Sequence, residues 1–334
     1  MHTLEIKLRQ HTPLIHFQPD QEGATLRASE VKPRLDRFIL AKLGNGNREN
    51  GLAIASDRGW IIREKALNYR IRIDCQEPFK MPMNVEKAKE HGLDKKNELG
   101  EQLYTTTNYP DNQSSLIMTN IGGRRKSDVM NFVVYDDITM YIILKNDDTE
   151  LSTMIEQCIT EFIYRNCFGN RKSKGFGSYE VTKINGKDVN NSGFKKSDSS
   201  SISFNLSLDY DDTIIFKDVF RIINGIWKCL KKVSGTNTAS DNSVLLNIRP
   251  QQTSGHQRIP SAVNIKPLIY IEDDKCTVRI NFFFNHDVIK TVNSRNDTNY
   301  YKQLIANNAI KIKNTIENTR TDNIIELNSI KINN

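Results

Sequence analysis

The order of hydrophobic patterns along the chain is the feature that most constrains its fold. Alternation of apolar and polar residues indicates half-buried strands, and apolar residues at every third or fourth position indicate amphipathic helices. In the first half these patterns follow one another in the order β-α-β-β-α-β, which predicts a ferredoxin-like unit. The predicted strands cover 4–8, 69–75, 138–144 and 179–182, and the predicted helices cover 33–43 and 151–163.

The second half repeats this order. Its predicted strands cover 203–208, 265–271, 277–284 and 325–332, and its predicted helices cover 215–230 and 301–316. We therefore predict an α+β protein with two tandem ferredoxin-like domains, at residues 1–190 and 198–334, with the polar run 185–201 as a linker or connecting loop. Two long insertions, at 44–67 and 76–130, interrupt the first domain, and loops of such length are usually functional or partly disordered.

The composition favours a phosphate-bearing partner. The 334 residues carry a formal net charge of +7 and a pI near 9.0, which attracts polyanions, although so mild an excess taken alone speaks only to solubility. Hydrophobic residues make up 37% of the chain, which is enough for real cores. The five cysteines include no C-x-x-C pair, and no stretch approaches the ~20 apolar residues of a membrane span. We expect a cytoplasmic protein with no membrane partner.

A loop at 168–179 places three cations among three glycines, between a predicted helix and a predicted strand. Glycine permits positive φ and close backbone approach, so we expect N–H groups and basic side chains of this loop to face phosphates. A base could stack on Phe176, whereas Tyr179 is better explained as core or sheet surface. The predicted RNA-binding residues of the loop are Arg171, Lys172, Lys174, Gly175, Phe176 and Gly177.

Two further groups of cations are candidates for nucleic-acid contacts. The first lies at or near the start of the first predicted helix, where free N–H groups and the helix dipole favour phosphate, and it would lie beside the glycine loop if both share one sheet edge. The second follows two glycines in the longer insertion. A solvated helix face and a solvated flexible loop are the respective alternatives. The candidates are Arg27, Lys32, Arg34 and Arg37 in the first group and Arg124, Arg125 and Lys126 in the second.

These segments resemble the RAMP superfamily of CRISPR-associated proteins. Residues 12–14 (Thr-Pro-Leu) resemble the start of RAMP proteins, and residues 29–37 resemble their Ser-x-x-Lys-Gly-x-x-Arg pattern, with Pro33 in place of glycine and Arg37 one position later. The loop at 171–178 resembles the Arg-x-x-Arg-Gly-Phe-Gly-Ser loop of the first-numbered subunit of the type III-B, or Cmr, effector complex.

The resemblance implies a non-catalytic subunit at one end of a crRNA-guided complex in antiviral defence. The implied partners are crRNA, target RNA as a further candidate, and other RAMP subunits. Base pairing would then carry sequence recognition, and the protein would read the RNA backbone and shape.

An RNA-cleaving enzyme is the main alternative. RAMP-fold endoribonucleases cut the crRNA precursor without a metal, with a histidine and basic residues that act on the 2′-hydroxyl and the developing phosphorane. His16 is the first candidate base and His11 a weaker one, but a histidine beside an apolar run is more often packed. Those nucleases carry the glycine-rich loop near the C-terminus, whereas here a whole second unit follows it, which favours the complex subunit.

A protein-binding adaptor is a third interpretation. RNA affinity that falls steeply with salt would distinguish an RNA-binding subunit from such an adaptor. The sequence contains no Walker loop, no cysteine–histidine cluster and no dinucleotide-binding context, so we predict no metal and no cofactor.

Overall fold

A computed structural model describes most of the first half of the chain and the strands of the second half. The described residues are 2–16, 24–82, 131–144, 148–170, 172–190, 201–209, 219, 223, 263–272, 275–284 and 324–332.

The elements follow the order expected from the hydrophobic patterns. In the first half they are β1 (His2–Gln10), α1 (Ala28–Leu43), α2 (Arg48–Asp57), β2 (Ile61–Arg63), β3 (Ala66–Leu67), β4 (Tyr69–Pro82), β5 (Asn131–Leu144), α3 (Thr149–Arg165), β6 (Tyr179–Ile184) and β7 (Lys187–Asp188). In the second half they are β8 (Ser201–Asp209), β9 (Val263–Glu272), β10 (Lys275–Phe284) and β11 (Ile324–Ile332).

The first sheet has five strands in the order β4-β5-β1-β6-β7, and its pairs are antiparallel. Alternate residues of β1 point into the core, so that Leu4, Ile6 and Leu8 are buried. They pack with the apolar faces of α1 and α3, which supply Leu35 and Ile159 to the same core. The helices therefore cover one face of this sheet.

The second sheet has four antiparallel strands in the order β11-β8-β10-β9. Its edge strand β9 faces the first half of the chain, because Ile265 forms a parallel bridge with Lys174. Leu268 of β9 and Phe283 of β10 pack with Tyr164, near the end of α3.

The mixed α and β architecture with antiparallel sheets is confirmed, and a strand lies at each of the eight predicted positions. The helices predicted at 215–230 and 301–316 lie outside the described residues, apart from the buried Val219 and Ile223. The ferredoxin-like character of the second domain and the two domain boundaries therefore stay predictions.

Two predictions about the first half were wrong. Helix α1 begins at Ala28 and not at Pro33, which lies inside the helix on its exposed side. The insertion 44–67 is not a loop, because it contains α2 and the β2–β3 hairpin. Residues 83–130 of the longer insertion lie outside the described part of the chain, while β4 extends into its start, to Pro82, and β5 begins directly after it, at Asn131.

Within the described ranges, no helix combines the length and the apolar character needed to cross a membrane.

Candidate nucleic-acid interface

The glycine loop is the meeting point of three segments that are distant in sequence. Its Asn170 N–H donates to the carbonyl of Ile15 at 2.7 Å, just after β1. Its Gly169 N–H donates to the Glu30 carboxylate at 2.8 Å, in the first turn of α1. Its Ser173 carbonyl accepts from the Ile265 N–H at 3.1 Å, in β9. The sequence-predicted loop thus lies against the predicted helix start.

The glycines of this loop are required by its close packing. Gly175 and Gly177 have φ of +87° and +64°, a region that side chains rarely adopt. A Cβ atom on Gly177 would lie 2.1 Å from the Phe168 carbonyl oxygen, and one on Gly175 would lie 2.9 Å from Cγ of Pro267. At these two glycines the loop backbone packs directly against Phe168 and Pro267, without room for a side chain.

The expectation that the glycine N–H groups face phosphates was wrong. Gly169 donates to Glu30, Gly175 donates to the Lys172 carbonyl at 3.4 Å, and Gly177 donates to the Pro13 carbonyl at 2.8 Å. Because each donor has a protein acceptor, these glycines shape the loop, and any ligand would have to bind through its side chains.

Phe176 is likewise unavailable for base stacking. Its side chain is only 3% exposed, between the two glycines that turn the chain. A base needs access to the ring face, so the stacking role expected from the sequence was wrong. Tyr179 is fully buried, as expected for a core residue.

One stripe of α1 faces the glycine loop. Arg27, Glu30, Arg34 and Arg37 are three or four residues apart and therefore share a helix face. Arg27 is the N-cap residue, and its side chain makes no capping hydrogen bond to the first turn. The stripe presents three cations and one carboxylate along the first half of the helix, and Arg27 and Glu30 lie at the N-terminus, where the helix dipole favours negative ligands.

Arg34 is held in place by the end of α3. Its guanidinium donates to the Cys167 carbonyl at 2.8 Å and to Oδ1 of Asn166 at 2.7 Å, and it stacks over the Phe168 ring at 4.6 Å. Burial lowers the pKa of Arg34 from its ordinary value, and Arg37 repels its charge, while Glu30 opposes both effects. Arg34 therefore has a structural role, and its guanidinium is only partly exposed.

Lys32 also has a structural role. Its ammonium donates to Asp36 at 2.8 Å and to the Leu67 carbonyl at 3.1 Å, and it lies 4.2 Å from the centroid of Tyr69. These contacts tie α1 to the hairpin and β4, so Lys32 contributes less to an open RNA surface than its position in the sequence suggests.

Arg37 and Lys172 are the most open cations of the group. Both side chains are exposed, and neither forms an ion pair with another residue in the described part of the chain. The pKa of Lys172 is lowered, chiefly by partial desolvation beside the loop and then by repulsion from Arg34 and Arg37. Two segments far apart in sequence thus bring like charges together, and Glu30, which pairs with Arg34 at 3.5 Å and opposes the lowering of the Lys172 pKa, offsets part of the repulsion. We call Arg27, Arg34, Arg37 and Lys172 the basic surface.

The remaining predicted cations divide into two classes. Lys174 is half-buried beside β9. Arg171 and the cluster 124–126 lie outside the described residues.

The two candidate histidines differ in access. His16 is half-buried, and its Nε2 is 2.8 Å from the Thr25 carbonyl, beside the glycine loop. His11 is 2% exposed, with Nδ1 bonded to the Ile269 N–H at 3.0 Å and Nε2 3.4 Å from Glu180. His11 therefore cannot reach an RNA substrate in this conformation.

Sequence reasoning missed two residues that organise this region. Asn166, just after α3, bonds Arg34 through its side-chain oxygen and donates to the Phe162 carbonyl at 2.7 Å. Lys266 in β9 is 1% exposed, although lysine is rarely buried. A lysine within the apolar run of β9 was the available signal for it.

Comparison with known proteins yields one family and several structures. The family model for the Cmr1 N-terminal domain matches residues 1–235. No curated protein matches the sequence. The crystal structure of apo Cmr1 from Pyrococcus furiosus is similar at 10% identity and a TM-score of 0.46, over 85% of this chain and 88% of that chain.

Two chains of cryo-EM structures are also similar. One belongs to the Type III-B Cmr-beta bound to cognate target RNA and AMPPnP in the presence of ssDNA; it has 11% identity and a TM-score of 0.47, over 92% of this chain and 99% of that chain. The other belongs to Cmr-beta bound to cognate target RNA, with 14% identity and a TM-score of 0.29, over 55% of this chain and 59% of that chain.

Proposed function

Since the chain belongs to the Cmr1 family, we propose that it is an RNA-binding, non-catalytic subunit of a crRNA-guided type III-B effector complex. Its partners are then crRNA, target RNA and other RAMP subunits. The observation that carries RNA binding is the basic surface, where the exposed Arg37 and Lys172 come together from α1 and the glycine loop.

Phosphate is the ligand that this surface fits best. Arg34, Arg37 and Lys172 repel one another, Glu30 offsets part of that repulsion, and an RNA backbone would relieve the remainder. The buried Phe176 and the internally bonded glycines leave little for base readout. The surface therefore suits an RNA whose sequence is read by pairing with another strand.

The test is RNA affinity as a function of salt, measured with labelled crRNA and purified chain. The variant Arg37→Ala/Lys172→Ala removes the two open cations. Because two phosphates would no longer be neutralised, the slope of log K against log salt falls by about 1.4, and affinity falls at least tenfold at low salt. Arg48→Ala/Lys65→Ala is the control, because it removes two exposed charges from α2 and the hairpin.

Arg48 of the control lies near the other end of α1, since α2 crosses that helix at Leu40, where a Cβ on Gly51 would lie 1.8 Å from the Leu40 carbonyl oxygen. Lys65 lies in the hairpin, which bonds to α1 through Lys32 and not through the stripe that carries Arg37. If the two double variants lost affinity equally, the loss would be explained by the lower net charge of the protein. That result would contradict RNA binding at the basic surface. Salt-insensitive binding to a partner protein without RNA affinity would favour the adaptor interpretation.

The same mixtures test the endoribonuclease alternative. His16 lies beside the loop and, of the two candidate histidines, is the one with access to the surface. We expect no new product from crRNA precursor in EDTA on a denaturing gel, and unchanged RNA affinity in His16→Ala. A discrete cut that His16→Ala abolishes would make the chain a metal-independent nuclease.

A further inference from the structure

Lys266 is buried where β9 meets the two ends of the glycine loop. Its ammonium donates to the carbonyls of Ile163 at 2.5 Å and Asn166 at 2.8 Å, at the end of α3, and to the carbonyl of Tyr179 at 2.7 Å, where β6 begins. The three donors of one ammonium thus have three carbonyl acceptors on both sides of the loop. One side chain of the second sheet holds both ends of the loop that carries Lys172.

The neighbouring residues of β9 complete this contact. The Ile265 N–H donates to Ser173 in the loop at 3.1 Å, and Ser178 donates its hydroxyl to the Pro267 carbonyl at 2.6 Å. Three consecutive residues of β9 therefore contact the start, the middle and the end of the loop.

Asn166 links Lys266 to the basic surface. Its carbonyl accepts from Lys266, while its side-chain oxygen accepts from Arg34 at 2.7 Å. A shift of Lys266 would move the end of α3 and with it the acceptor that orients the Arg34 guanidinium. The charged lysine is needed for this, because an apolar residue could fill the space without ordering three carbonyls.

At neutral pH Lys266 keeps all three donors. Burial lowers its pKa to about 8, so the ammonium form still predominates at pH 7. The Ile163 and Asn166 carbonyls belong to the negative end of the α3 dipole, which stabilises the positive charge.

We infer that Lys266 is a positioning residue for RNA binding: from the second sheet it fixes the glycine loop and, through Asn166, Arg34. This inference rests on the proposed function. It extends the site to a residue that touches no RNA and that lies outside the segment matched by the family model.

The experiment compares Lys266→Met with Lys183→Met in the full chain, again with labelled crRNA. Both variants remove one positive charge, but Lys183 is exposed near the far end of β6 and pairs with Asp188. We expect Lys266→Met to weaken binding about tenfold and to lower the salt slope by about 0.7, as for one phosphate contact displaced. Lys266→Arg, which keeps the charge and the donors, should recover most of the affinity.

The thermal midpoint of each variant is measured without RNA, and the RNA titrations are made well below that temperature. A loss of affinity in a folded variant then reports on the position of the loop and not on unfolding. If Lys266→Met does not fold, Asn166→Ala replaces it, since this variant keeps Lys266 but removes the side-chain acceptor of Arg34. Affinity and salt slope equal to those of Lys183→Met would overturn the inference. Absence of RNA binding by the unsubstituted chain would instead overturn the proposed function.

Discussion

At the scale of single residues, different residues of the glycine loop determine its backbone shape and provide its positive charge. Gly175 and Gly177 allow the chain to pass where a Cβ atom would meet other protein atoms, and their N–H groups bond to protein carbonyls. Among the described residues of the loop, Lys172 provides an exposed charge close enough for Arg37 to lower its pKa. In a loop of this kind the glycines can therefore indicate the backbone shape, while binding of a ligand is left to the side chains.

The first prediction concerns Gly177. Its φ is +64° and its Cβ position is 2.1 Å from the Phe168 carbonyl oxygen, whereas Gly186 has φ of +77° with no atom within 4 Å of its Cβ position. Both alanine variants bear left-handed strain of roughly 1–2 kcal/mol. Gly177→Ala must also displace backbone, so it should lower the free energy of unfolding by about 1–3 kcal/mol more than Gly186→Ala. Urea denaturation measures the difference, and equal destabilisation by the two variants would contradict the packing.

At the scale of elements, the sequence predicted the positions of the long strands but not the helix and hairpin that follow α1. Period-two alternation located β1 and β4, because one face of each strand is buried. The run 44–48 has the composition of a loop, yet Gly44 ends α1, and Asn47 caps α2 by accepting from the Glu49 N–H at 2.9 Å. Two caps in succession were thus mistaken for an unstructured segment.

Site residues were harder to predict than elements, because their availability depends on tertiary contacts. Nothing local distinguishes Lys32 or Arg34, which bond to residues far along the chain, from Arg37, which stays open. Lys266 was missed, because its only signal in the sequence is a cation within an apolar strand and its three carbonyl partners come from elements remote in sequence.

The second prediction tests the contact between α1 and α2. In an exposed helix, glycine to alanine stabilises by roughly 1 kcal/mol. At Gly51 the new Cβ would lie 1.8 Å from the Leu40 carbonyl oxygen, so the helices must separate. We expect Gly51→Ala to lower the free energy of unfolding by about 2 kcal/mol or more. Asn50→Ala, at the neighbouring exposed position, should change it by less than about 0.5 kcal/mol. Stabilisation by Gly51→Ala would show that α2 does not pack in this way.

At the scale of the whole molecule, the two sheets meet through buried polar groups. Lys266 lies on one side of this contact. On the other, His11 accepts from the Ile269 N–H at 3.0 Å, and Tyr270 donates to Glu180 at 3.0 Å. Unpaired polar groups of this kind are costly when buried, so the contact favours one relative placement of the sheets.

The third prediction follows from His11. Burial lowers its pKa below the ordinary value of 6.5, although Glu180 opposes the shift. Between the two pKa values the unfolded chain binds the proton and the folded chain does not, so this contribution to stability is present above pH 6.5 and is lost as pH falls. The thermal midpoint should therefore fall from pH ~7 to pH ~5, and less steeply in His11→Phe. An equally steep fall in that variant would contradict the assignment.

Photo-crosslinking of crRNA to the purified chain, with the attached peptides identified by mass spectrometry, tests the central claim most directly. Binding through the basic surface predicts crosslinked peptides from the start of α1 and from the glycine loop, with both absent in Arg37→Ala/Lys172→Ala. Crosslinks confined to other parts of the chain, or unchanged in that variant, would contradict it.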